Sequence, residues 1–358
     1  MAPDPNQFLG LPPAELECAD AVILPLPVEK TVSYGTGTSG GPRAILDASL
    51  QLETFDEETL VDFAAAPRLR TLPPISAEGS IEDCLGRIQQ HVRPLRGKFL
   101  LALGGEHSVT YGLVMGLAAD PAEKMGTGSE PMGEGFGLSH SGEVPVPIFS
   151  DAPAHLTIVQ IDAHADLADD LQGRHWSHGT VMRRLCEQGC RLLQIGVRSL
   201  TRSEYDFATG GPRIATFYAH RLAEQWAEVL AALRGLEGDV YLTIDVDGLD
   251  PSVIPSTGTP QPNGLCWGQM MDVLRILMTE SPCRLIGADV VEFVPSPTPP
   301  GCDIIAARLV AKVLAWRWAG KRSPICGRGR DAGCPAPPAR IRTEFREFRE
   351  FRGHNTEL

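Results

Sequence analysis

The chain has 358 residues, with 45 Asp and Glu against 32 Lys and Arg and a formal net charge of -13. That acid excess argues against nucleic acid and anionic membrane surfaces as partners, and no apolar run approaches the length of ~18 residues that a membrane helix needs. The N-terminal stretch has no basic or Arg-rich leader pattern, and nine scattered cysteines without a C-x-x-C pair indicate a reducing, cytoplasmic compartment.

Apolar, β-branched runs predict strands at 21–26, 99–103, 156–161, 192–197, 213–217, 240–245 and 285–291. Helical spacing predicts helices at 181–188, 221–234, 267–279 and 304–317, among others. Alternation of this kind gives an α/β fold, a mostly parallel sheet with helices on both faces. One domain is expected over 1–319. It is interrupted at 120–155 by a segment rich in Gly, Pro, Ser and Glu, expected to be a flexible surface insertion in which His140 and His155 are bystanders. From Gly320 the pattern ceases to be core-forming, and the tail over 320–358, with its repeated E-F-R triplets, is expected to be disordered; a peptide-like interaction tail is the second reading.

Three of the predicted strands end in chemistry-bearing residues. The run IVQIDAHAD (158–166) carries Asp162, His164 and Asp166, and YLTIDVDGLDP (241–251) carries Asp245 and Asp247. Residues two apart on a strand share a face, so each set can converge. FLLALGGEHSVT (99–110) turns at a glycine pair and places His107 at the same sheet edge if the strands are parallel. Four carboxylates and two imidazoles at buried strand tips repel one another unless a cation compensates them. An oxygen-rich, thiol-free set of this size suits hard divalent ions, Mn²⁺ rather than Zn²⁺ or Cu²⁺, and has enough ligands for two.

GGEHS, DAHAD and TIDVDGLDPS resemble the three signatures of the ureohydrolases, the family of arginase and agmatinase. SYGTGTSGGPRAILDAS (33–49), LETFDEE (52–58), SHGTVMRR (177–184) and QIGVRSLTRSE (194–204) resemble its agmatinase-type members. The resemblance covers about residues 20–318 and implies the family's three-layer α/β/α sandwich. It also implies two Mn²⁺ ions per subunit, one held by His107, Asp162, Asp166 and Asp245. The other would take His164, Asp162, Asp245 and Asp247, with Asp162 and Asp245 bridging. By the same resemblance His178 is the proton shuttle, Glu292 binds the guanidinium, and a homo-oligomer, trimer or hexamer, is expected. His175 has no family counterpart and reads as a loop residue beside the pocket.

The implied reaction is hydrolysis of a small cationic guanidino substrate. Arginases read the substrate carboxylate with an Asn and a Ser, at positions where this chain has Ala168 and Arg174. Asp169 and Asp170 offer negative charge to a distal ammonium, so agmatine, giving urea and putrescine, is the expected substrate. Arg174 leaves 4-guanidinobutanoate or another guanidino acid open, arginine is a further alternative, and a catalytically silent metal-binding homologue is a reading from another class.

Overall fold

The computed structural model describes residues 4–118, 156–296 and 301–321. The expected insertion at 120–155 and nearly all of the expected tail lie outside the described residues.

Among the described residues ten strands form, in chain order β1 Ala21–Leu26, β2 Phe55–Asp56, β3 Val61–Asp62, β4 Leu69–Thr71, β5 Phe99–Gly104, β6 Leu156–Ile161, β7 Arg191–Val197, β8 Ile214–Tyr218, β9 Asp239–Asp245 and β10 Arg284–Val291. Eight of them make one sheet in the order β4-β1-β5-β10-β9-β6-β7-β8, with every pairing parallel. The expected strands are all present. The short edge strand β4 and the two-residue hairpin β2–β3 carry too few apolar residues to give a periodic signal, and they form by pairing alone.

The helices are α1 Gly41–Ser49, α2 Ile81–Val92, α3 Val109–Leu117, α4 Val181–Glu187, α5 Arg202–Thr209, α6 Leu222–Arg234, α7 Trp267–Arg275 and α8 Gly301–Lys321. One apolar layer, with Ile45, Leu46, Val229, Met270 and Leu309, joins α1, α6, α7 and α8 to one sheet face. On the other face α2 to α5 pack through residues such as Ile88, Leu113 and Leu185. The result is the expected three-layer sandwich, and central strands covered on both sides are apolar throughout for that reason. The helix expected over 267–279 is α7 followed by a π-helical turn at Ile276–Glu280, which buries Ile276, Leu277 and Met278 together before Pro282 ends the element. The acidic run in LETFDEE clamps α8: Lys312, 2% exposed, sits 2.7 Å from Asp56 and 3.2 Å from Glu57.

Register decides where the chemistry falls. Ile161 pairs with Ile244, and Asp245 with Val291, while Val290 pairs with Leu103. The four central strands therefore stop at one level, and the residues that follow each of them meet outside their C-terminal ends, the usual ligand position in parallel sheets. Two glycines permit the approach. A side chain at Gly248 would lie 2.6 Å from the Asp162 backbone nitrogen, and one at Gly105 would overlap the Val28 carbonyl. No described helix is long and apolar enough to cross a membrane.

Candidate metal centre and active site

The six carboxylate and imidazole groups converge at the C-terminal ends of β5, β6 and β9. His107, Asp162 and Asp166 form one group with ligand atoms within 4.8 Å of one another; Asp162, His164 and Asp247 form a second, so Asp162 is common to both. Asp245 belongs to neither compact group, but its Oδ2 lies 3.6 Å from His107 Nδ1, and its other oxygen accepts the Asp247 backbone N–H at 2.8 Å.

His107 tests whether a cation fits. Its Nε2 faces Thr243 Oγ1 at 2.8 Å, and that hydroxyl gives its only proton to Asp289 at 2.6 Å. Nε2 must therefore be the protonated nitrogen, which leaves a lone pair on Nδ1. Among the described residues Nδ1 has no hydrogen-bond donor facing it, and Asp166 Oδ2 and Asp162 Oδ2 stand 2.9 and 3.1 Å from it. A lone pair held against carboxylate oxygens is repulsive, so a positive charge belongs there: a metal ion, or a second ring proton, which Asp162 and Asp166 favour against the lowering effect of burial. This donor set, two imidazole nitrogens and four carboxylates without a thiol, fits hard divalent ions.

The electrostatics of the protein's own charges agree. Burial, then the charge of Asp162, raises Asp166 to about 7. Burial and the neighbouring Asp247 and Asp162 push Asp245 well above its ordinary value. Against the lowering effect of burial, Asp162 and Asp247 raise His164 to about 11. All three shifts are upward: burial and crowded carboxylates make each group hold a proton, and a bound cation would compensate the same negative charge.

Two of the site residues sit in left-handed backbone, Asp166 at φ 53 and Glu292 at φ 62. Non-glycine residues adopt this region at a cost and do so preferentially at functional sites. The turn at Glu292 folds its carboxylate back, so that Oε1 accepts the His107 N–H at 2.6 Å. Burial raises Glu292 to about 8.

His178 opens α4's approach turn and lines the same cavity as His107, Asp245 and Glu292. His175 faces elsewhere, with its ring against the Arg184 guanidinium and edge-on to Trp176. Of the two residues expected to read the substrate's tail, Asp169 lines the cavity and Arg174 does not. Arg174 is exposed and does not line the cavity, because its backbone pairs with Leu171 in a tight turn that carries the side chain outward. Asp169 does line it, but its carboxylate is engaged by Arg184 at 2.9 Å and Arg183 at 3.3 Å. Asp170 beside it accepts the Gly173 backbone N–H.

Residues 19–316 match the family model described as Arginase family. The chain belongs to that family. An N(1)-aminopropylagmatine ureohydrolase from Synechocystis is 32% identical over 341 residues, covering 90% of this chain and 99% of the relative. An agmatinase from Pyrococcus horikoshii is 30% identical over 310 residues, with 86% and 95% covered. Among solved structures, the agmatine ureohydrolase of Thermoplasma volcanium superposes with a TM-score of 0.70 at 24% identity, covering 86% of this chain and 92% of that one, and so shares the fold. The chain is accordingly a ureohydrolase of guanidino compounds, and the family depends on a binuclear metal centre.

Several supporting residues of this ureohydrolase carry no motif of their own. Arg198 donates to the carbonyls of Asp247, at 2.6 Å, and Gln261, at 2.9 Å, tying down the loop after β9. Asp289 accepts from Thr110, Tyr241 and Thr243 at 2.8, 2.8 and 2.6 Å, directly beneath His107. The available signal was a polar residue inside an apolar strand, as with Thr243, Tyr241 and Asp289. Because Asp289 orients His107 through Thr243, Asp289→Asn is expected to weaken binding of one ion by about 10- to 100-fold while the protein stays folded. Titration with Mn²⁺ followed by calorimetry checks this, and unchanged affinity at both sites would remove Asp289 from the support of His107.

Proposed function

We propose that the chain is a Mn²⁺-dependent agmatinase-type enzyme that hydrolyses agmatine to urea and putrescine. The observation that carries the tail preference is the cavity itself. It measures about 750 Å³, and among the described residues its lining has no Lys or Arg but includes Asp170 and Glu204, besides Asp169, whose charge Arg183 and Arg184 already pair. A substrate carboxylate would enter that rim without a cationic partner, whereas a distal ammonium is favoured there.

The metal ligands proposed are His107, Asp162, Asp166 and Asp245 for one ion, and His164, Asp162, Asp245 and Asp247 for the other. When bound, two such ions would supply a water of lowered pKa as the attacking nucleophile. The chain's own groups do the rest. Glu292 offers a planar anion to the planar guanidinium, and a cation beside it restores the ionised carboxylate that burial opposes. His178 carries the proton that lets the amine leave. Burial, against the raising effect of Glu106, keeps its pKa below the ordinary histidine value, so at neutral pH it is unprotonated and can receive a proton and pass it on.

The cavity volume favours a second reading, N(1)-aminopropylagmatine, whose longer tail would bring another ammonium to the acidic rim. That compound appears in the name of the Synechocystis relative. Urea release from agmatine, N(1)-aminopropylagmatine, arginine and 4-guanidinobutanoate separates the readings. With Ala168 in the cavity wall, a buried α-carboxylate lacks a donor, a deficit of roughly 1–3 kcal/mol. At 1.4 kcal/mol per factor of ten, kcat/KM for agmatine is expected to exceed that for arginine by at least about tenfold. Equal efficiency with arginine would sink the proposal, and a preference for 4-guanidinobutanoate would mean that a cationic group outside the cavity lining reaches the substrate.

A further inference from the structure

The geometry points to Thr31, held by Glu106, as the residue that fixes the tautomer of His178 and thereby makes Nε2 its proton-transfer atom. The inference rests on the assignment of His178 as the proton carrier above.

Thr31 lies in the loop after β1, far in sequence from His178, and both Thr31 and Glu106 are buried. The Glu106 carboxylate is saturated with donors. Its Oε2 accepts the backbone N–H groups of Lys30 and Thr31 at 2.5 and 2.6 Å, and its Oε1 accepts the hydroxyls of Ser108 and Thr31 at 2.6 and 2.8 Å. The Thr31 hydroxyl has one proton, and the carboxylate takes it. Were the hydroxyl turned instead toward His178, its oxygen would be left lone pair to lone pair against Glu106.

Thr31 Oγ1 can then only accept. It accepts the His178 backbone N–H at 3.1 Å and faces His178 Nδ1 at 3.3 Å. For that second contact to be attractive, Nδ1 must carry the proton. Neutral His178 then has its lone pair on Nε2, which faces the exposed Ser33 hydroxyl at 3.0 Å, and both residues line the cavity. An imidazole in this tautomer gains and loses its working proton at Nε2, on the side where substrate enters. Free imidazole side chains have no such constraint, so the arrangement is imposed by the acid–hydroxyl pair, in the manner in which a buried carboxylate sets the tautomer of a catalytic histidine elsewhere. Thr31 is a positioning residue: it touches His178 and not the reacting atoms.

The test reads the tautomer directly. Ring ¹⁵N shifts of His178 are measured in the ¹⁵N-histidine-labelled full chain loaded with diamagnetic Zn²⁺, with His178→Ala providing the assignment. The wild type is expected to show protonated Nδ1 and unprotonated Nε2 at neutral pH. Thr31→Val, which keeps the shape and removes the hydroxyl, is expected to lose that pattern. Its kcat should fall by about 10- to 100-fold, short of the ~10²–10⁴ of losing the acid–base group itself, with KM and metal content unchanged. Thr31→Ser should restore both the shifts and kcat. A wild-type His178 protonated at Nε2 overturns the inference, as does a Thr31→Val protein that keeps full kcat. If Thr31→Val does not fold, the wild-type shifts and Thr31→Ser still decide. A wild type that releases no urea from any guanidine refutes the shuttle assignment instead, and leaves the tautomer to be judged on the shifts alone.

Discussion

Asp162→Asn is expected to abolish binding of both ions and to reduce urea release by roughly 10³-fold or more, because water activation depends on the pair. Asp162 is common to the two groups of candidate ligands. Its oxygens also accept the His164 N–H at 2.6 Å and the Gln160 amide at 2.7 Å. An amide at this position would both remove the shared negative charge and turn a donor toward one of those donors. His107→Ala and Asp247→Ala, each in one group only, should weaken mainly one ion. Metal analysis of the purified proteins reads the result. A single ion at saturation in the intact protein, or two ions retained in Asp162→Asn, would refute the shared-ligand arrangement.

The same cluster sets the pH behaviour of the chelated protein. Asp166 and Glu292 have folded pKa values raised by burial to about 7 and about 8, and His164 is raised to about 11. A raised value means the protonated form is favoured on folding. The contribution of each group is thus fully present below its unfolded pKa and is lost as pH rises toward the folded value. The chelated protein should be more stable near pH 5 than near pH 8. Binding of ions, which requires deprotonated ligands, should reverse that order, adding about 2.7 kcal/mol at a metal concentration of 100 times Kd. Thermal melts with and without Mn²⁺ across this range check the sign.

His178→Ala is expected to lower kcat by about 10²–10⁴-fold, the usual cost of a lost general acid–base group, with metal content unchanged. The size follows from the leaving group: an amine departs from the tetrahedral intermediate only when protonated, and water is a far weaker acid than an imidazolium for that transfer. His178 lines the cavity, whereas His175 lies edge-on to Trp176 with its ring against Arg184. Steady-state kinetics of both alanine variants decide between them. A larger loss of turnover in His175→Ala would mean that the shuttle is the wrong histidine.

How far these residues could be read without coordinates depends on the range of the interaction that places them. Buried parallel strands leave continuous apolar runs, and a strand's two-residue period puts Asp162, His164 and Asp166 in a recognisable spacing. Those are local properties of the chain, and the sheet, its helical layers and the candidate ligands were legible from them. The support of the site was not. Thr31 reaches His178 across 147 positions, Thr243 reaches Asp289 across 46, and Glu292 reaches the His107 backbone across 185. No periodicity records such pairs, because they exist only once the central strands stop at a common level and Gly248 lets the β9 loop close on β6. Arg174 and Asp169 show the converse. In sequence both stand beside the metal motif and look available to substrate, but a two-residue turn carries one outward and the Arg183–Arg184 pair of α4 neutralises the other. Composition and spacing determine which chemistry the chain can assemble; packing between distant segments decides which of its charges are left to perform it.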